Sequence, residues 1–488
     1  MEQAGEQTGL LTVTDLRDWL EAVENLGELK RVRGAHWHLE IGGLSEANYR
    51  QPESPALLFD EIPDFPKGFR VLTGASNSAR RLGITLRMGG GFTNAELVKV
   101  LQGKPLEWER KAPDLPPEVL PAGPVKENVL LGDQVDLMRF PTPLWHKHDG
   151  GRFIGTGDAV IIRDPETGAV NLGSYRVMIL DERHVSVMII PGKHGIQFAR
   201  KWFERGERCP VAISVGHDPL LAVLSGIEVP PGVSELNFAG AIVGGRYPVV
   251  EGEVTGLPVP AAGEIVLEGH LEEGKTVEEG PFGEWHGYYS GSEYPAFRVK
   301  VEAVLHRNDP ILLGSPPGKP PHDYSYFRSV MKSAMIFDAL IKAGVPSVRG
   351  VWCDEAGGGR LWISVSIKQE YAGHARQAGF IASQCHAGAY MCRYAVVVDD
   401  DIDPTDIKEV IWAMCTRSDP ASDIDFIRRA RGSPADPLNR TPEAPFNTRA
   451  IIDACRPYEW MDEFPRVAAA DPEDLRKIRE KFPGVFGD

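Results

Sequence analysis

No stretch of the 488-residue sequence approaches the ~18–20 continuous apolar residues that a spanning helix requires, so a membrane-embedded protein is not expected. Positive charge is not in excess either. The formal net charge of -16 argues against non-specific binding to nucleic acid or anionic membrane, although a local arginine can still reverse the field inside a pocket. No CxxC pair is present. Cys209, Cys353, Cys385, Cys392, Cys415 and Cys455 follow no regular framework, which points to free thiols in a reducing compartment. The first residues, MEQAGEQTGLLTVTDLRDWL, lack a basic segment leading into an apolar run, so no signal peptide is expected and a cytoplasmic location is. No internal repeat is visible.

What is present is an ordinary globular composition, 42% hydrophobic and 25% charged, in a chain too long for one core. Thr14 reads as an N-cap, with Leu16, Trp19, Leu20, Val23 and Leu26 at helical spacing up to Gly27. The Pro-rich run from Lys111 to Val129 breaks every pattern and reads as a linker. From Asp158, β-rich runs separated by turn signals predict an antiparallel meander, then a short helix and further strands, hence a β-barrel-like middle domain. After Pro321 helices and strands alternate, which predicts an α/β sandwich. The resulting division is an N-terminal α/β domain (1–125), a central split β-barrel (126–315), a C-terminal α/β domain (316–455) and a helical tail (456–488) expected to pack on a neighbouring subunit.

Chemistry-bearing residues are scattered. His36 and His38, and His146 and His148, form HxH pairs that could share a strand face toward a metal, but neither has a third ligand at short spacing. Asp399, Asp400, Asp401 and Asp403 crowd a strand end without EF-hand spacing and suit a solvated turn before a helix start. The glycines of DEAGGGRLW are followed by neither a helix start nor a Lys/Ser/Thr pair, so a turn is favoured over a phosphate loop. In EGPFGEWHGYYSG two acids, Glu279 and Glu284, are held five residues apart by a segment rich in Gly and Pro, a rigid loop rather than a helix. Asn171, His194 and Glu235 supply an amide, an imidazole and a carboxylate, a set that suits Mn²⁺ or Mg²⁺, though no local spacing forces them together.

The segments FIGTGDAV, NLGSYR, PGKHG, VLSGIEVPPGVSE, EGPFGE, GKPPHD, HAG and DDDID followed by VIWAMCTR occur in this order across nearly the whole chain. Together they resemble the UbiD family of reversible decarboxylases that use prenylated FMN. The resemblance implies a catalytic set of Arg176, Glu279 and Glu284, with Glu284 as proton donor and Glu279 paired with the arginine. It implies Mn²⁺ or Mg²⁺ on Asn171, His194 and Glu235, bridging to the cofactor phosphate, and K⁺ near Ser225 and Ile227. Flavin contacts carried over in the same way are Thr156, Ser174, Tyr175, Arg176, Lys193 and Trp285. Some relatives place a lysine before the AG of the HAG segment, against the phosphate; His386 stands there in this chain and is expected among the cofactor contacts.

GKPPHDYSYF carries His322, Tyr324, Tyr326 and Phe327; of these His322 and Tyr326, with Ile190, are expected to wall an aromatic substrate pocket with a polar handle. The activity implied is decarboxylation of an indole-, pyrrole-, furan- or phenol-type acid through a covalent cofactor adduct, releasing CO₂. Glu284 is expected to be held neutral in a water-poor pocket while Arg176 keeps Glu279 ionised. A UbiX-type prenyltransferase as cofactor source and a homo-oligomer, dimer or hexamer, are the implied partners. Two rival readings are a metal-dependent hydrolase built on the HxH pairs and the aspartate run, and a non-catalytic subunit, for which erosion of the Arg-Glu-Glu set would be expected.

Overall fold

The computed structural model describes residues 13–229, 232–290, 295–439 and 445–486. The N-terminal part begins with helix Leu16–Asn25, whose Leu16, Trp19, Leu20 and Val23 are buried. Its N-cap is Asp15 and not Thr14: the Asp15 carboxylate accepts from the N–H groups of Arg17 and Asp18. The helix packs on a four-stranded sheet of Leu29–Arg33, Ala56–Asp60, Arg70–Thr73 and Ile311–Leu313. The last of these strands lies some 240 residues beyond its neighbour in the chain; Ile311 pairs in parallel with Arg70. The N-terminal and central regions are thereby stitched together.

The Pro-rich run is not a free linker. Glu118–Val119 within it pairs in parallel with Pro248–Val249, extending a three-stranded sheet.

A ten-stranded sheet forms the middle of the molecule as a curled half-barrel. Its topology shows why the run from Asp158 is not a simple meander. Ala159–Arg163 and Val170–Gly173 form one antiparallel pair at one end of the strand order. Val177–Ile179 instead lies next to the strand at the other end, between Phe153–Gly155 and His184–Val187. The three residues Ser174, Tyr175 and Arg176 therefore carry the chain from one end of the sheet to the other. That crossing puts them in the gap of the half-barrel.

The C-terminal region is a five-stranded sheet in the order Val348–Cys353, Trp362–Ile367, Tyr394–Asp399, Phe446–Ala454, Ile424–Arg431. Ala395 and Val397 of its central strand join a cluster with Ile336, Leu340, Ala378 and Ala382 from helices Asp323–Lys342 and His374–Gln384. Val396 and Val398 join Val410 and Ala413 of helix Ile407–Arg417 on the opposite face. Burial on both faces is what an apolar strand in parallel pairing requires. The tail helix Pro472–Lys481 leaves Leu475 and Ile478 exposed. Among the described residues no helix is long and apolar enough to cross a membrane.

Candidate active site

The stretch holding the two acids is a small hairpin: Phe282–Gly283 pairs with Tyr289–Ser290, and the Glu284 N–H donates to Tyr288 O at 2.9 Å. Three contacts fix it. Phe282 stacks on Phe153 of the half-barrel with ring centroids 3.8 Å apart. His322 Nε2 lies 3.1 Å from Trp285 O, and His286 Nε2 lies 2.6 Å from Ala435 O. The hairpin is thus clamped between the central sheet and the C-terminal domain, and Glu284 sits at its shoulder.

Arg176, at the end of the crossing segment, faces both acids. Its Nε donates to Glu279 Oε1 at 2.8 Å and its Nη2 donates to the same oxygen, while Nη1 lies 3.5 Å from Glu284 Oε1. The arginine does not grip Glu279 as a fork on two oxygens: Glu279 Oε2 is buried with no hydrogen-bond partner among the described residues. Burial pushes the Glu279 carboxyl above the usual range, against the opposing pull of Arg176 and with a further push from the Glu284 charge.

Thr156, Ser174, Tyr175, Arg176, Ile190, Lys193, Glu284 and Trp285 all line one cavity between the half-barrel and the C-terminal domain. Tyr324 and Arg328 line it as well, one turn apart on helix Asp323–Lys342, and Ser174 Oγ pairs closely with Tyr324 Oη. Tyr326 lies on the other side of that helix, where its hydroxyl donates to Asn94 Oδ1 at 2.6 Å. Helical periodicity separates 324 and 328 from 326, so the pocket-wall role expected of Tyr326 falls on Tyr324. His322 is the N-cap of the same helix; it is buried outside the cavity lining, holds Trp285 from behind, and burial lowers its pKa to about 4. His386 lines a separate cavity with Phe238, Met335 and Lys342.

Reading the sequence alone did not single out Asp158, Arg360 or Tyr390, which also line the site. The glycines before Arg360 explain its placement. A Cβ on Gly358 (φ +63) would stand 2.4 Å from Trp285 Cε3, and one on Gly359 (φ +65) would stand 2.7 Å from Ser329 N. The loop is glycine-rich because it passes tightly under Trp285 and over helix Asp323–Lys342. Gly358→Ala is expected to cost about 1–3 kcal/mol of stability and to displace Trp285. A calorimetric melt and the indole fluorescence would check both.

Glu235 Oε1 accepts from Asn171 Nδ2 at 3.1 Å and Oε2 accepts from Leu172 N at 2.8 Å. Burial raises the Glu235 carboxyl to about 7. Asn171 Oδ1 is buried with no partner among the described residues, and His194 starts the adjacent helix, its pKa lowered by burial. An orphaned amide oxygen beside a buried carboxylate and a neutral imidazole fits a hard divalent cation. Among the described residues no group of three or more His, Cys, Asp or Glu is arranged to hold a metal, and this set contains only two of those types. In the proposed K⁺ segment, Ser225 O accepts from Ser174 N at 3.0 Å.

The features behind the hydrolase reading have other partners. Asp399 accepts from Arg417 Nη1 and Arg456 Nε at 3.1 and 3.0 Å, and Asp401 accepts from both Nη atoms of Arg417 at 2.8 Å. His36 lies 3.5 Å from Asp64, and His148 packs against Tyr289. The segments of the two HxH pairs meet at a bridge between His38 and Leu144, but among the described residues they form no group of three or more His, Cys, Asp or Glu that could hold a metal.

Comparison with known proteins identifies the family. Family models described as 3-octaprenyl-4-hydroxybenzoate carboxy-lyase match in order: the UbiD N-terminal domain at residues 20–101, the Rift-related domain at 118–320 and the C-terminal domain at 325–454. Pyrrole-2-carboxylic acid decarboxylase of Pseudomonas aeruginosa is 34% identical, over 97% of this chain and 99% of its own. The closed form of vanillic acid decarboxylase from Sedimentibacter hydroxybenzoicus superposes with a TM-score of 0.83 at 27% identity, covering 98% of this chain and 99% of that one. HmfF from Pelotomaculum thermopropionicum, a UbiD-class enzyme solved with FMN, gives 0.82 at 27% identity, covering 95% and 99%. Its evolved dimeric form with prFMN gives 0.78 at 26%, covering 95% and 100%. With all three domain models in order and a curated relative matched end to end, the chain belongs to the UbiD family of carboxy-lyases.

Proposed function

We propose that this carboxy-lyase removes CO₂ from an aromatic or heteroaromatic acid of pyrrole, indole, furan or phenol type, using prenylated FMN held with Mn²⁺ or Mg²⁺ and K⁺. The observation that carries the reading is Arg176 poised between Glu279 and Glu284 at the wall of the shared cavity. Prenylated FMN, when bound, supplies the electron sink that no side chain offers for the carbanion left by aromatic decarboxylation. Asn171, His194 and Glu235 would hold the divalent ion, and the backbone near Ser225 and Ile227 the K⁺.

The side chains supply position, charge and a proton. Arg176, the fixed positive charge facing both acids at the cavity wall, orients the substrate carboxylate. Met188, Ile190 and Phe282 give the wall an apolar surface that excludes water around the ring. As the ring-to-carboxyl bond breaks and CO₂ leaves, Glu284 delivers its proton to the ring carbon and is reprotonated from solvent. The pyrrole-2-carboxylate activity of the curated relative supports a small heteroaromatic acid. A homo-oligomer completes the proposal, supported by the exposed apolar Leu475 and Ile478 of the tail helix.

The test is co-expression with a UbiX-type prenyltransferase, intact mass and absorbance of the bound cofactor, and CO₂ release from a panel of aromatic acids. A mass matching prenylated FMN, with turnover of a pyrrole, indole, furan or phenolic acid, is expected. Protein that remains flavin-free and inert after reconstitution would overturn the reading.

A further inference from the structure

Two separate groups of charge meet at the cavity. In the first, Arg176 is paired with Glu279 and Glu284. The second is cationic: Arg328 and Arg360, 8% and 4% exposed, line the cavity together with Lys193, and Lys332, one turn beyond Arg328 and 1% exposed, adjoins them. Among the described residues the carboxylate ion-paired with this cluster is Glu228, whose Oε1 is 2.9 Å from Arg360 Nη1 and whose Oε2 is 3.8 Å from Lys332 Nζ. Four cations against one carboxylate leave the cluster net positive, in a place where uncompensated charge is costly.

The cluster borders the wall that faces the substrate ring. Lys193 N donates to Ile190 O at 3.3 Å, and the Arg360 guanidinium lies 5.5 Å from the ring centroid of Trp285, the residue after Glu284. Aromatic rings hold the cationic heads in place. Arg360 and Lys193 each lie 4.7 Å from the centroid of Tyr390, and Arg328 lies 4.6 Å from that of Tyr324. Donors remain open. Arg328 Nε donates to Gly226 O at 2.9 Å, yet its Nη1 has no hydrogen-bond partner among the described residues. Arg360 Nε is likewise without one, and Arg360 Nη1 meets Glu228 as an ion pair outside hydrogen-bond alignment. Fixed guanidinium groups with open N–H donors match a carboxylate. A monoacid whose carboxylate faces Arg176 would leave these donors unmet in a pocket that excludes water.

We infer that the substrate is an aromatic or heteroaromatic diacid: the carboxylate that leaves as CO₂ faces Arg176, and a second, retained carboxylate on the same ring is held by Arg328 and Arg360 with Lys193. The assignment rests on the decarboxylase reading above and narrows its substrate class. The bond from the ring to the first carboxyl breaks, CO₂ departs and the proton from Glu284 takes its place. One dianion and one proton thus give one CO₂ and one monoacid anion, with no net oxidation. The product keeps a single carboxylate, cannot engage both charge groups at once, and is released after one CO₂.

The experiment compares pyrrole-2,5-dicarboxylate with pyrrole-2-carboxylate, and the corresponding indole and phenol pairs, on enzyme co-expressed with a UbiX-type prenyltransferase. Wild-type kcat/KM is expected to favour the diacid by at least ~100-fold, with one CO₂ released per diacid and the monoacid accumulating. Calorimetric titration of Glu284→Gln protein, in which turnover is suppressed, should give the same order of affinity. Arg328→Gln and Arg360→Gln should each cut the diacid-to-monoacid ratio by ~10–100-fold, mainly through KM for the diacid. Loss of folded protein would scale both substrates alike and leave that ratio in place. Equal kcat/KM for the two acids of a pair, or variants that keep the wild-type ratio, would overturn the assignment and leave the decarboxylase reading intact. Variants isolated without flavin would give the cluster to the cofactor and overturn it as well. Flavin-loaded wild-type enzyme that turns over no monoacid and no diacid would remove the decarboxylase reading and this assignment together.

Discussion

Glu284→Gln is expected to lower kcat by ~10²–10⁴-fold, the range spanned by positioned acids, with little change in KM or in melting temperature. The amide matches the carboxyl in shape and can still face Arg176 Nη1, now 3.5 Å from Glu284 Oε1, so the hairpin and its clamps at Trp285 and His286 stay in place. What disappears is a proton that can be given to carbon. Run in D₂O, the wild-type enzyme should place one deuterium on the ring carbon that lost CO₂. The same reaction run backward should exchange that position in the product without added bicarbonate. Both signals should fall in the variant. Retention of wild-type turnover and deuterium incorporation would mean that another group donates, and Glu279, drawn toward neutrality by burial, would be the next to test.

Arg176→Ala is expected to be the most damaging single change to the site, because it acts on activity and stability together. Loss of the fixed positive charge should reduce turnover by ~10²–10³-fold, as for other preorganised electrostatic groups. Removing one partner of a buried ion pair costs about 3–5 kcal/mol when the other stays charged. Glu279, 3% exposed, has the alternative of taking up a proton, so the cost should sit at the lower end of that range and depend on pH. The sign follows from its direction of shift. With Arg176 gone the folded-state pKa of Glu279 rises further, so the folded state binds more protons than the unfolded one at and above the unfolded carboxyl value of about 4.3. The variant should therefore lose stability as pH rises through that window and recover it as pH falls. Denaturant titrations between pH 5 and 8 would show the slope. Adding Glu279→Gln should restore stability at high pH without restoring activity. A variant whose stability is flat across this window would show that Glu279 finds another counter-charge.

Much of this site was legible before folding because it is carried by short motifs whose chemistry is local. The two acids on one rigid segment and the alternation of strands and helices after Pro321 can be read from residue type and period, whereas the arginine of NLGSYR joins those acids only through the ordered motifs that resemble a family. The errors were of a different kind. The run from Asp158 looks like a meander because β-propensity reports that strands exist, not which edges they join; only the half-barrel sends Ser174 to Arg176 across its gap. Residue type points to Tyr326 for the pocket wall, and only the helix faces set against the sheet give that place to Tyr324. The Pro-rich run looked like a linker because a two-residue strand has no period to detect.

The sequence by itself determined the residue types that can hold a proton, a carboxylate or a metal, the period of each element and the order of the motifs, since these depend on neighbours a few positions away. Tertiary structure alone decided which acid burial pushes toward neutrality, which face of helix Asp323–Lys342 meets the cavity, and that Arg328, Arg360 and Lys193 gather there around Tyr390. Desolvation and charge density are properties of everything within a few ångströms of a group. In this fold those neighbours come from segments that are one to two hundred residues apart in the chain.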